Sequence, residues 1–138
     1  PPLNDKRRSG TAYCIRKGKG KTFVKDHKHD VLIDRLDHNQ VANVFRKSKY
    51  FISYDEHTAY SIFAVLCGCI SVVVPGEGVD IETWYPSEED RYGIAYGLND
   101  LDRAKATSGL VKKHILDEEN KSSDRVLTFA AESQSFFG

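Results

Sequence analysis

Residues 50–75, YFISYDEHTAYSIFAVLCGCISVVVP, constrain the fold more than any other part of this chain. Tyr50-Phe51-Ile52-Ser53 is built of β-forming residues and predicts a strand. Thr58 to Cys67 is apolar at nearly every position, which predicts a helix covered on most sides. Gly68 ends that helix. Ile70 to Val74 is a second β-branched run, closed by Pro75. Two strands joined by a buried helix make a βαβ unit, and such units build parallel sheets. Asp55-Glu56-His57-Thr58 then falls between the C-terminal end of a strand and the start of a helix. Open α/β sheets bind ligands at that level, where free backbone N–H groups attract phosphate.

The flanking sequence extends the pattern. Thr11 to Arg16 reads as a strand, Lys17 to Lys21 as a flexible basic loop, and Val31 to Asp34 as a short strand. Asp37 is a good N-cap, with Gln40 three residues on to complete a capping box. Leu36 and Val41 hold the two positions of a hydrophobic staple. Val41, Val44 and Phe45 give that helix a buried stripe, and it ends near Lys47-Ser48. Beyond Pro75 the chain turns polar, with a short helical turn at Ser87-Glu88-Glu89 and a strand at Tyr92 to Tyr96. Asn99 or Asp100 caps a helix to about Leu116, with Leu101, Ala104, Ser108, Val111 and Ile115 on one face. Asp117 to Lys121 reads as a charged connection. Ser122 or Ser123 caps a last helix with Val126, Phe129, Ala130 and Phe137 on its packed side. Strands alternating with helices predict an α/β fold: a three-layer, doubly wound α/β/α domain with a mostly parallel sheet over residues 11–138. Residues 1–10 read as a polar linker.

The 138 residues suffice for one domain with a real core. Twenty Lys and Arg balance twenty Asp and Glu, so the overall charge does not call for a nucleic-acid or anionic-membrane partner. The distribution is uneven: Lys6 to Lys28 is basic and Asp80 to Asp102 mostly acidic. No apolar run approaches the roughly 20 residues a bilayer requires, and no signal peptide is visible. Three cysteines, Cys14, Cys67 and Cys69, fit reduced thiols in a cytoplasmic protein. The lack of any methionine and the linker-like Pro1-Pro2 opening lead us to expect a fragment or processed product.

Several groups could carry chemistry. Arg16, Lys17, Lys19 and Lys21 cluster on a turn whose Gly18 and Gly20 allow close backbone approach, which suits a phosphate or diphosphate. A solvated basic turn explains them equally well, and neither a P-loop nor a dinucleotide fingerprint is present. At Asp55-Glu56-His57-Thr58 the carboxylates could accept hydrogen bonds from sugar hydroxyls, and Thr58 with the helix start could hold a phosphate. Plain N-capping accounts for one of these four residues more readily than for all of them. His27, His29 and Asp30 hint at a metal but lie among lysines without zinc-type spacing, and read as surface residues. Cys67 and Cys69 have no second cysteine pair and read as small buried thiols at a tight turn. His57 and His114 have no triad around them. Trp84 and Tyr85 fit either a pocket wall or an aromatic anchor.

The segment SYDEHTAYSIFAVLCGC resembles the donor-site segment of GT-B fold glycosyltransferases of the family-4-like kind, whose pattern is E-x-x-x-x-x-x-x-E-A-x-x-x-G-x-P-V. It resembles more closely the members that act in bacterial surface-polysaccharide synthesis and read SYDPxTxxSxEAALCGC. Ser53-Tyr54-Asp55, Thr58, Ser61, Ala64 and Leu66-Cys67-Gly68-Cys69 carry the match. The resemblance is specific over residues 50–75 and weaker elsewhere.

The resemblance implies a Rossmann-like domain that is the C-terminal half of a GT-B architecture and binds a nucleotide-sugar donor. Asp55 would lie near the sugar and Thr58 near the diphosphate. Arg16 and Lys21 have the spacing of the family's R-x-x-x-x-K pair, which neutralises the diphosphate leaving group; Lys17 or Lys19 could serve instead. The site would need no metal and no cofactor beyond the nucleotide-diphosphate sugar. The glycan or lipid-linked acceptor would be held by an N-terminal domain outside this sequence. The full protein would work in the cytoplasm, at the inner face of the bacterial membrane as a peripheral protein. One departure stands out. The second family Glu, which binds the ribose, aligns with Phe63, which accepts no hydroxyl hydrogen bond. Glu77 and Glu82 are nearby substitutes, and a scaffold domain that has lost donor binding is the rival reading.

Overall fold

The computed structural model describes residues 8–121. Five strands form one sheet: β1 (Thr11–Cys14), β2 (Val31–Leu32), β3 (Tyr50–Ser53), β4 (Ile70–Val73) and β5 (Ile94–Tyr96). Their order is β2-β1-β3-β4-β5, and every neighbouring pair is parallel. Five helices accompany them: α1 (His38–Lys47), α2 (Tyr60–Leu66), α3 (Ile81–Trp84), α4 (Leu101–Thr107) and α5 (Val111–Lys121).

Alternation along the strands divides the core between two faces. On one face Ala12, Cys14 and Phe51 pack against Val41 and Phe45 of α1 and Ala64 of α2. Val73 and Ile94 extend that layer against Ile62 and Val65 of α2 and the indole of Trp84. On the other face Ile52, Tyr54, Val72, Val74 and Ala95 pack against Ala104 and Leu101 of α4. The domain is therefore a three-layer, Rossmann-like α/β fold with an all-parallel sheet. No helix among the described residues is long and apolar enough to cross a membrane.

The expected α1 forms as its caps dictate. Asp37 accepts from the Gln40 backbone N–H at 2.8 Å, and the Gln40 side chain accepts from the Asp37 N–H at 3.0 Å. The other helices depart from expectation. α2 begins at Tyr60 rather than Thr58, its N-cap is Ala59, and only Ser61 and Ala64 are fully buried. The single helix expected to run to Leu116 is broken by a 3-10 turn at Ser108–Leu110. Asp117 to Lys121, expected as a connection, continues α5. Asp100 makes no side-chain cap, because its carboxylate instead accepts from the Tyr96 N–H and from Arg103. The last expected helix, from Ser122 or Ser123, lies outside the described residues.

Arg8, within the stretch read as linker, is buried under α1 and α2. Its guanidinium donates to the carbonyls of Phe45 and Ser48 at 2.8 Å and to that of Cys67. These carbonyls end α1 and α2, so the arginine supplies donors where helical C=O groups run out of partners.

Replacing Asp37 with Ala removes the side-chain half of the capping box and leaves the Gln40 N–H without its acceptor. Thermal unfolding should show a loss of about 1 kcal/mol and a fall in Tm of about 4 °C.

Candidate functional site

In a sheet of this order the chain leaves β1 in one direction to form β2 and in the other to reach β3. The crevice between the C-terminal ends of β1 and β3 is the topological switch point. Both clusters anticipated from the sequence lie at this edge.

After β1 the chain makes a sharp turn. Arg16 has φ +41°, the only positive φ at a non-glycine position among the described residues. That conformation is costly for a β-substituted residue and needs holding in place. Asp34, beyond β2, does this. Its carboxylate accepts from the Ile15 N–H at 3.1 Å and from the Arg16 N–H at 2.9 Å. The Arg16 side chain is exposed, with its guanidinium 4.8 Å from the ring centre of Tyr60.

The basic loop read as flexible begins as a 3-10 turn, Arg16–Gly18. Gly18 is buried against the protein's own backbone, and a Cβ there would collide with the Tyr54 carbonyl. This contact brings Lys21 over the ends of β3 and β4. Its Nζ donates to the Tyr54 carbonyl at 2.9 Å, the Val74 carbonyl at 2.9 Å and Glu56 Oε1 at 3.2 Å. Lys21 thus clamps the sheet edge, while Lys17 and Lys19 stay exposed and unpaired among the described residues.

Across the crevice, Ser53 Oγ donates to the Asp55 carbonyl at 2.5 Å and lies 3.1 Å from the Cys14 thiol. Burial pushes that thiol up to about 11, more than the Ser53 hydrogen bond lowers it. Asp55 does not cap α2. Its Oδ1 accepts from the His57 N–H at 3.1 Å, a local turn that delays the helix. Thr58 Oγ1 accepts from the Tyr60 N–H at 3.3 Å. Glu56 points inward between Lys21 and Tyr96, whose single hydroxyl proton lies within reach of Glu56 Oε2 at 3.3 Å and of the Val79 carbonyl at 3.0 Å. Burial first, then the adjacent Glu56 carboxylate, pushes the Tyr96 phenol up to about 12. Trp84 Nε1 donates to the Glu56 carbonyl at 2.7 Å, and its ring stacks on Tyr96. The His57 ring lies with Nε2 3.2 Å from the Trp84 carbonyl and packs edge-on against Tyr85.

These groups enclose an open cleft of about 480 Å³. Lys17 and Lys21 line it from one side, Asp55, Glu56 and His57 from another, and Val79, Thr83 and Trp84 from α3 and its approach. Arg16, Gly18, Lys19, Gly20 and Thr58 do not line it. Phe63 lies elsewhere, stacked on His38 with ring centres 5.0 Å apart in the packing between α1 and α2. Glu77 and Glu82 are exposed and outside the cleft, whereas Glu56 is inside it.

The connection between β1 and β2 contains a buried polar chain that local sequence does not announce. His27, expected at the surface, is buried; His29 is exposed. The His27 ring stacks on Tyr13 with centroids 3.9 Å apart. Its Nδ1 lies 2.7 Å from Asp30 Oδ2 and its Nε2 lies 2.6 Å from the Tyr54 hydroxyl, which accepts from the Val24 N–H at 3.1 Å. The neutral tautomer that satisfies all three contacts has Nδ1–H donating to Asp30 and the Tyr54 hydroxyl donating to Nε2. Burial opposes ionisation of Asp30, but hydrogen bonds from His27 and Lys25 outweigh it and hold the carboxyl below its usual range. Trp84, Thr83, Val79, Tyr54 and Tyr96 are site residues that sequence reasoning left out or left undecided. The partners of Trp84, Tyr96 and Tyr54 lie far away in sequence, and of the five only Trp84 was read as a candidate pocket wall.

No family model, no curated protein and no solved structure matches this chain.

Three outcomes test this description. Lys21→Met keeps the aliphatic stem but removes all three donated contacts, and should cost about 2–3 kcal/mol in denaturant unfolding. Lys17→Ala should change stability by less than about 0.5 kcal/mol. Because the folded carboxyl of Asp30 titrates below the unfolded one, its contribution is present above the unfolded value and disappears as pH falls through the folded value. Asp30→Asn should therefore destabilise the protein at neutral pH, with the deficit closing below about pH 4 in pH-dependent unfolding curves.

Proposed function

We propose that this chain is the nucleotide-sugar-binding half of a GT-B glycosyltransferase, a hexosyltransferase that moves a sugar from a nucleotide-diphosphate donor to a polysaccharide or glycan acceptor. The observation that carries the reading is the shared cleft: Lys17, unpaired among the described residues, faces Asp55, Glu56 and His57 across the C-terminal edge of a parallel sheet. A cation beside carboxylates suits a ligand that is anionic at one end and rich in hydroxyls at the other. The sequence resemblance over residues 50–75 supplies the class.

In this reading Lys17 meets the diphosphate, and Arg16, laid over Tyr60, stands outside the cleft. Asp55 accepts hydrogen bonds from the sugar. Stabilising charge on the departing diphosphate lowers the barrier to transfer. Lys21, spent on Tyr54, Val74 and Glu56, holds the site in shape rather than neutralising the leaving group. Thr58 and the short α2 contribute little dipole, since α2 has only seven residues. Glu56 replaces the acidic residue that Phe63 displaces, as the cleft's second acceptor. The acceptor sugar and its base come from a second domain, so this chain binds donor without turning it over. The setting is the cytoplasmic face of a bacterial membrane.

The saturation of Lys21 by protein partners, together with the aromatic packing of Phe63, favours a second reading: a scaffold domain that keeps the fold without the donor. Calorimetric titration with UDP, GDP, ADP, dTDP and their sugar conjugates separates the two. Donor binding predicts saturable heat with one base and about tenfold weaker binding in Lys17→Ala and in Asp55→Ala, about 1.4 kcal/mol each. Silence across the panel selects the scaffold, and affinity unmoved by either substitution rejects the site.

A further inference from the structure

A second group of chemistry-bearing side chains lies outside the cleft, where the 3-10 turn Glu88–Arg91 meets α5. His114 and Glu118 are four residues apart on α5, a spacing that stacks two side chains on one helical face. Glu89 joins them from the turn. One ligand-capable atom of each of Glu89, His114 and Glu118 lies within 4.8 Å of the others. Asp90 closes the opposite side. His114 Nδ1 lies 3.5 Å from Glu89 Oε2, and Nε2 lies 3.3 Å from Asp90 Oδ1. The ring is held with its side chain 15% exposed, edge-on to Tyr92.

The imidazole has a carboxylate oxygen beside each nitrogen, Glu89 at one and Asp90 at the other. A divalent ion bound to one ring nitrogen would offset two of the carboxylate charges gathered here and take up a carboxylate ligand as well. One imidazole nitrogen and two carboxylate oxygens form a mixed donor set that first-row divalent ions accept, with water in the open position.

We propose that Glu89, His114 and Glu118 form a binding site for a divalent first-row transition ion, best matched by zinc, with Asp90 beside the imidazole as its outer carboxylate. Ligand bonds of about 2.0–2.2 Å require the three donor atoms to draw in by roughly an ångström. Glu89 and Glu118 are exposed, whereas His114 is half-buried. The bound ion would fasten α5 to the turn between α3 and β5. The site stands apart from the donor cleft and is independent of the reading proposed for it.

The test uses the full chain, stripped with chelator and titrated with zinc alone. Calorimetry should give roughly one saturable ion per chain with micromolar affinity, and a raised Tm. Cobalt in its place should show ligand-field bands without thiolate charge-transfer absorption, which excludes Cys67. His114→Gln and Glu118→Gln should each weaken binding about tenfold or more, while His29→Gln leaves it unchanged. Absence of saturable binding overturns the proposal. So does affinity that survives both His114→Gln and Glu118→Gln, or that falls with His29→Gln.

Discussion

The ammonium group of Lys21 holds together the end of the sheet at which everything of functional interest is placed. Beyond the last ladder hydrogen bonds, the carbonyls of Tyr54 and Val74 need donors, and a buried edge offers little water. One side chain supplies both and meets Glu56 as well. The geometry depends on Gly18, since only a residue without Cβ lets the turn after β1 lie on the Tyr54 backbone. Glu56, fixed from one side by Lys21, is fixed from the other by Tyr96, and the indole of Trp84 secures its carbonyl. A clamp on strands β3 and β4 thereby becomes a frame for the cleft.

That frame also divides the basic residues by role. Four cations look equivalent in RKGKGK. Folding commits Lys21 to the carbonyls at the ends of β3 and β4, lays Arg16 over Tyr60, and leaves Lys17 facing the cleft. The strained backbone at Arg16 is held by the carboxylate of Asp34, which takes two successive N–H groups of the turn. The β1–β2 connection is then sealed over the sheet by the Asp30–His27–Tyr54 chain. Each device uses a residue distant in sequence, so the site's shape is a tertiary property rather than a local one.

What could be read from the sequence follows the same division. The βαβ core and α1 were legible because their causes are local: β-branched runs bounded by glycine and proline, and a capping box within four residues. The clustering of the basic turn with Asp55 to His57 followed from the parallel sheet, since successive strands must end at the same edge. The start of α2 was misplaced because Asp55 and Thr58 spend their oxygens on neighbouring N–H groups, a competition a cap motif does not reveal. The break between α4 and α5 was missed because a 3-10 turn at Ser108–Leu110 barely disturbs the spacing of apolar positions. His27 was misjudged because its neighbours in sequence are polar, whereas its partners in space are Tyr13 and Tyr54.

The sheet tapers toward its rims. The inner strands β1, β3 and β4 have four residues each, whereas the outer strands β2 and β5 have two and three. An exposed strand is a template on which another chain can polymerise, and its danger grows with the length of unpaired backbone it offers. Here the borders present so few free N–H and C=O groups that a stray β-segment gains little by adding to them. The brevity of the outermost strands thus works as a guard against amyloid-type self-association.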